Sequence, residues 1–117
     1  MPDNRRILLV EDDVLIGMML VDMFDALGFP EPAQATSNEE ALAIIGVEPV
    51  AGALVDINLG DEKGWPVADA LAAHGIPFAF TTGGGDAIPQ AHAHRKLVTK
   101  PFRISEIEAV LNEFFPE

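Results

Sequence analysis

Glu11, Asp12 and Asp13 stand together directly after the apolar run Ile7–Val10, and Asp56 closes a second apolar run, Ala51–Val55. Two further runs end on polar groups that would complement them: Pro77–Thr81 on Thr82, and Lys96–Thr99 on Lys100. If these runs are parallel strands, their ends share one edge of a sheet, where open α/β folds hold their ligands. Carboxylates a few ångströms apart there would repel by about 4 kcal/mol per pair at an effective dielectric near 20, so the cluster calls for a cation. Carboxylate oxygens suit a hard ion that keeps part of its water, which selects Mg²⁺ over Zn²⁺. The candidate ligands are Glu11, Asp12, Asp56 and the main-chain carbonyl of Asn58, with Asp13 solvated or supporting them from behind.

Asp56 in such a setting is a candidate nucleophile toward phosphorus, giving an aspartyl phosphate. The metal would bridge Asp56 and a phosphoryl oxygen and offset charge as the bond forms. Lys100 would add a fixed positive charge and Thr82 a hydroxyl for one phosphoryl oxygen. Lys100–Pro101 is a candidate cis peptide, which would turn the lysine inward. Each residue alone is an ordinary surface group. Their convergence at four strand ends is the signal.

Composition narrows the classes of function. The chain has 117 residues, enough for one domain with one core, and 49% of them are hydrophobic. Its formal charge is −12, from 7 basic and 19 acidic side chains. That balance argues against a nucleic-acid groove, which needs clustered Lys and Arg. It suits a cation and a basic or apolar protein partner. No apolar run approaches the roughly 18 residues of a membrane span. The segment Met1–Arg6 leads into an apolar run too short for a signal peptide. With no cysteine there is no disulfide framework, and a cytoplasmic monomer is expected.

Five alternations of strand and helix can be read along the chain. Arg5–Val10 reads as a strand buried on both faces. Leu15, Met18, Met19, Asp22, Met23 and Ala26 then recur at helical spacing, and Gly28 with Pro30 ends that helix. The three methionines are expected to pack against the sheet. Ala33–Thr36 is a weak strand, and Ser37 with Glu40 makes a capping box for a helix from Glu39 to Ile45, closed by Gly46. Pro66 fits the first turn of a third helix that ends near His74, and Trp65 is expected to cover the Gly64 turn. Between Ala87 and Arg95 only a short, frayed helix is expected, because Pro89 is tolerated only in a first turn. Ile104, Ile107, Val110, Leu111 and Phe114 mark one face of the last helix. The implied fold is α/β: a flavodoxin-like (βα)5 doubly wound parallel sheet of strand order 2-1-3-4-5, in a single domain spanning 1–117. His92 and His94, two apart in that weak segment, would not share a helix face and give no metal site.

Taken together, Val10-Glu11-Asp12-Asp13, the Asp56 strand with Asn58 and Gly64, Thr82-Gly83, and Lys100-Pro101-Phe102 resemble the receiver domain of two-component response regulators, over essentially the whole chain. The resemblance implies that Asp56 accepts phosphate from a histidine kinase and that Glu11 and Asp12 hold Mg²⁺. It also makes Thr82, beside Gly83, the switch hydroxyl, and Lys100 the family's lysine. Pro77-Phe78-Ala79-Phe80-Thr81-Thr82-Gly83-Gly84-Gly85 is similar to the FAT GUY subgroup of single-domain receivers, which implies a kinase of the HWE or a related type. Output would pass through protein contacts, or the domain would serve as a phosphate sink. One departure stands out: the usual switch aromatic, three residues before the lysine, is Leu97. Ordering of the segment from Gly83 to Arg95 on phosphorylation is the expected substitute. The rival reading is an aspartate-nucleophile phosphohydrolase. It would want an acid two residues after Asp56, and Asn58 cannot donate a proton that way.

Overall fold

A computed structural model describes residues 4–115; Met1, Pro2, Asp3, Pro116 and Glu117 lie outside the described residues. Five parallel strands form the main sheet: β1 (Ile7–Val10), β2 (Ala33–Ala35), β3 (Gly52–Asp56), β6 (Phe78–Thr82) and β7 (Lys96–Thr99). They lie in the order β2-β1-β3-β6-β7. Counted along this sheet alone, that is the flavodoxin-like order. Register is set by pairs such as Leu9 with Leu54 and Val55 with Phe80.

Alternation along the strands sorts two cores. Leu8, Val10, Ala53, Val55, Phe78 and Phe80 face α2 (Asn38–Val47) and α3 (Trp65–Ala73). Ile7, Leu9, Leu54, Ala79 and Val98 face α1 (Val14–Ala26) and α4 (Ile104–Phe114). With both faces covered, the central strands are apolar throughout, as buried parallel strands must be. At Gly52 the sheet meets α4 tightly, since a Cβ there would lie 2.7 Å from Phe114.

Several expectations need correction. The sheet-facing side of α1 is Gly17, Leu20 and Phe24; Met18 is 60% exposed and Met19 37%, and only Met23 packs against the core. Every face of α1 carries apolar residues, so spacing alone could not choose among them. Helix α2 runs through Gly46 to Val47 and stops because Glu48, before Pro49, is extended. Its cap is also not a full box: Ser37 accepts the Glu40 amide, but Glu40 reaches back to the amide of Thr36 rather than that of Ser37. Trp65 opens α3 and packs edge-on against Phe80, 5.5 Å between centroids.

The fourth crossover has no α-helix. Pro89 is extended, and only a 3₁₀ turn, Gln90–His92, follows. His92 is 3% exposed, edge-on to Phe78 and Phe80, with Nε2 2.7 Å from Asp69 Oδ1. Arg95 stacks over Phe78 at 4.2 Å. These two side chains pin the end of the segment. Asn58–Leu59 (β4) and Glu62–Lys63 (β5) form an antiparallel hairpin that the strand reading did not anticipate, turned at Gly60 with φ +64°.

Candidate functional site

All the sites named from the sequence lie at the carboxyl ends of main-sheet strands or one to two residues beyond. Glu11 continues β1, its amide bonded to the Ala35 carbonyl at 3.0 Å. Asp56 is the last residue of β3, Thr82 the last of β6, and Lys100 follows β7 with its amide on the Thr82 carbonyl at 2.7 Å. Lys100–Pro101 is cis. The backbone therefore sets the side chains' starting points before any side-chain contact is made.

Lys100 Nζ lies 2.9 Å from Asp56 Oδ2 and 3.1 Å from Glu11 Oε1. The other Asp56 oxygen, Oδ1, accepts the Asn58 amide at 3.1 Å. Glu11, Asp12 and Asp56 bring one carboxylate oxygen each within 4.8 Å of one another. Glu11 and Asp56 are buried while Asp12 is open to solvent. Asp13 stands apart. Its Oδ1 caps α1 by accepting the Leu15 and Ile16 amides at 2.9 and 3.3 Å, and its own amide holds Glu11 Oε2 at 3.1 Å.

Electrostatics mark the cluster as short of positive charge. Burial pushes the Glu11 carboxyl up to about 7, and the Asp56 charge pushes the same way against the Asp13 amide and Lys100. Burial alone would lower the Lys100 pKa, but its contacts with Asp56 and Glu11 outweigh that and raise it. Glu11 Oε1 is buried with the ammonium nearby and makes no aligned hydrogen bond. One lysine shared by Glu11 and Asp56, with Asp12 beside them, leaves a donor set that fits a divalent cation.

Gly64 is the tightest point beneath the site. A Cβ there would lie 2.7 Å from the Asp56 carbonyl oxygen and 3.0 Å from Val55. The glycine lets the start of α3 close against the end of β3.

The Thr82 hydroxyl does not touch Asp56's partners. It donates to Asp86 Oδ2 and accepts the Gly84 amide at 3.0 Å. Asp86 also accepts from Asn58 Nδ2 at 3.1 and 3.2 Å, and Lys63 Nζ lies 2.5 Å from Asn58 Oδ1 and 3.5 Å from Asp86 Oδ1. Gly83 leads into this loop and has open space around its α-carbon. Residue type and spacing do not place Asp86, Lys63 or the His92–Asp69 pair here. The only hint of Asp86 was an acid directly after three glycines.

The family model for the response regulator receiver domain matches residues 7–112. This chain belongs to that family. Receiver domains are signalling modules, and acceptance of a phosphoryl group is general among them. No curated protein matches the chain. Among solved structures it is similar to SdrG from Sphingomonas melonis Fr1, with 36% identity, TM-score 0.85, and coverage of 99% of this chain and 100% of that one. The BeF3-activated conformation of SdrG from Pseudomonas melonis Fr1 is 38% identical at TM-score 0.79, covering 95% of this chain and 98% of that one. The receiver domain of a sensor histidine kinase from Pseudomonas aeruginosa, with a magnesium ion coordinated in its active-site cleft, shares the fold at 19% identity, TM-score 0.79, and coverage of 95% and 97%.

Proposed function

We propose that this receiver takes a phosphoryl group from a phosphohistidine of a sensor histidine kinase onto Asp56. The observation that carries the reading is the ammonium of Lys100 held between Asp56 and Glu11, at 2.9 and 3.1 Å, beside a third carboxylate. Glu11, Asp12, Asp56 and the main-chain carbonyl of Asn58 would hold Mg²⁺. The ion would supply positive charge to the phosphoryl oxygens.

The chain's own residues do the rest. The Asn58 amide and Lys100 fix the two Asp56 oxygens, so the attacking carboxylate is oriented before the donor arrives. As the P–O bond to Asp56 forms, the P–N bond of the donor breaks and its electron pair returns to the imidazole ring. Lys100 then pairs with a phosphoryl oxygen, and the Thr82 hydroxyl turns to another. Hydrolysis by water later regenerates the carboxylate, so the domain signals and is not a turnover enzyme on small molecules. Asn58, an amide that cannot act as a general acid, weighs against the phosphohydrolase alternative.

Exposed apolar residues on α1 beside the rim, Val14, Leu15, Met18 and Met19, offer the donor protein a surface on which to rest while its histidine reaches Asp56. The Pro77–Gly85 motif supports membership of the FAT GUY subgroup and a kinase of HWE or related type. Among the described residues no helix is long and apolar enough to cross a membrane, and the acidic charge disfavours nucleic acid. We infer a cytoplasmic protein that acts through protein contacts, as a signal or as a phosphate sink.

Incubation with acetyl phosphate and Mg²⁺, followed by intact mass, tests the reading. Wild type should gain one phosphoryl group and Asp56→Asn none. No gain in wild type would overturn it.

A further inference from the structure

Thr82 has one hydroxyl hydrogen, and in this structure Asp86 has it. A hydroxyl donates once, so the hydrogen cannot serve a phosphoryl oxygen and Asp86 together. We propose that Asp86 is a positioning residue for phosphoryl uptake, its carboxylate holding the Thr82 hydroxyl in a resting latch that the phosphoryl group must displace. The inference rests on the phosphoacceptor reading of Asp56.

Three features make the latch specific. Asp86 is gripped from the far side by Asn58 Nδ2 and by Lys63, both on the β4–β5 hairpin that begins two residues after Asp56. Both of its oxygens are engaged, Oδ1 by Asn58 and Oδ2 by Asn58 and Thr82. It is also carried on a hinge. Gly84 and Gly85 sit at φ +108° and +79°, conformations glycine adopts without a steric penalty.

Arrival of a phosphoryl group changes the balance at this point. The group brings a charge of about −2 and strong acceptor oxygens. It competes for the Thr82 hydrogen and repels a carboxylate that lies one hydroxyl away. Asp86 leaves, and the loop before Pro89 moves with it, while His92 and Arg95 keep the downstream end pinned. The readout thus passes through a carboxylate on a glycine hinge, in a chain whose usual aromatic position is an exposed leucine, Leu97.

Beryllofluoride, a tetrahedral mimic of an acyl phosphate, measures the competition when titrated with Mg²⁺ against amide resonances. Asp86→Ala should lower the half-saturating beryllofluoride concentration about tenfold, the scale of one hydrogen bond to a charged group. Asp86→Asn keeps the shape and loses the charge, and should lower it by about threefold, since neutral hydrogen bonds are roughly half as strong. Both effects should vanish in a Thr82→Ala background and persist with Thr82→Ser, which keeps the hydroxyl. Equal or weaker binding by both Asp86 variants would overturn the latch. So would tightening of the same size without the hydroxyl, which would reduce Asp86 to bulk charge. Wild type that takes no beryllofluoride would overturn the phosphoacceptor reading of Asp56, and the latch with it. If Asp86→Ala does not fold, Asp86→Asn carries the test alone.

Discussion

On one side of Asp56, Glu11, Asp12 and Lys100 follow strands β1 and β7 by one or two residues; Lys100 already touches Glu11 and Asp56, and Asp12 brings a carboxylate oxygen within 4.8 Å of the other two acids. On the other side, Asp86 reaches Thr82 from a loop with two left-handed glycines and no regular structure before the 3₁₀ turn. The first side has its geometry imposed by sheet register. The second holds its geometry through hydrogen bonds among Thr82, Asp86, Asn58 and Lys63, and these can be exchanged. The contrast suggests a division of labour, with chemistry on the fixed side and readout on the exchangeable one.

The two sides should differ most at Lys100. Lys100→Met removes the one ammonium shared by Glu11 and Asp56 and should slow labelling by acetyl phosphate by about a hundredfold, as loss of an oriented charge does. A rate within a factor of about three of wild type would mean that the fixed side does not supply the chemistry.

Glycine substitutions compare the rigidity of the two sides. Gly64→Ala drives a Cβ against the Asp56 carbonyl and should cost on the order of 1–3 kcal/mol in urea unfolding. Gly83→Ala, with open space around it, should stay within about 0.5 kcal/mol. Equal costs would erase the distinction.

The pH dependence of Mg²⁺ binding sharpens the fixed side further. Glu11 takes a proton near pH 7, and a protonated carboxyl cannot ligate well, so affinity falls as pH drops through that value. Isothermal titration should give an affinity about tenfold lower at pH 6 than at pH 8, one proton competing with one ion. The same shift makes a metal-free folding prediction. Glu11 binds its proton more tightly folded than unfolded, so its contribution to stability falls as pH rises from 4.5 to about 7.

The smallest expected change in stability lies on α1. Leu15→Ser and Met18→Ser should leave the urea midpoint nearly unchanged, within about 0.5 kcal/mol, because both side chains face solvent. They should instead slow transfer from a phosphorylated kinase while leaving labelling by acetyl phosphate as it was. A drop in both rates would place their effect inside the domain.

The fixed side was legible in the sequence for the same reason that it is fixed. A carboxylate or lysine ending an apolar run is placed by the strand alone, and parallel order brings the ends together. Asp86 was not legible, because its position depends on the φ angles of Gly84 and Gly85, which composition does not specify. His92 was hidden similarly: once Pro89 blocks the helix, the histidine turns inward onto Phe78 and Phe80. Spacing does not separate Met18 and Met19 from the core, because α1 is apolar on every side and the strands' own side chains decide which face fits.

The most direct test of the central claim is to locate the label. Borohydride reduces an acyl phosphate on aspartate to homoserine, which peptide mass analysis then finds in the chain. After labelling with acetyl phosphate and Mg²⁺, homoserine should appear at position 56 and nowhere else. Homoserine at Asp12, Asp13 or Asp86, or a label retained on a histidine, would contradict the assignment of Asp56 as the phosphoacceptor.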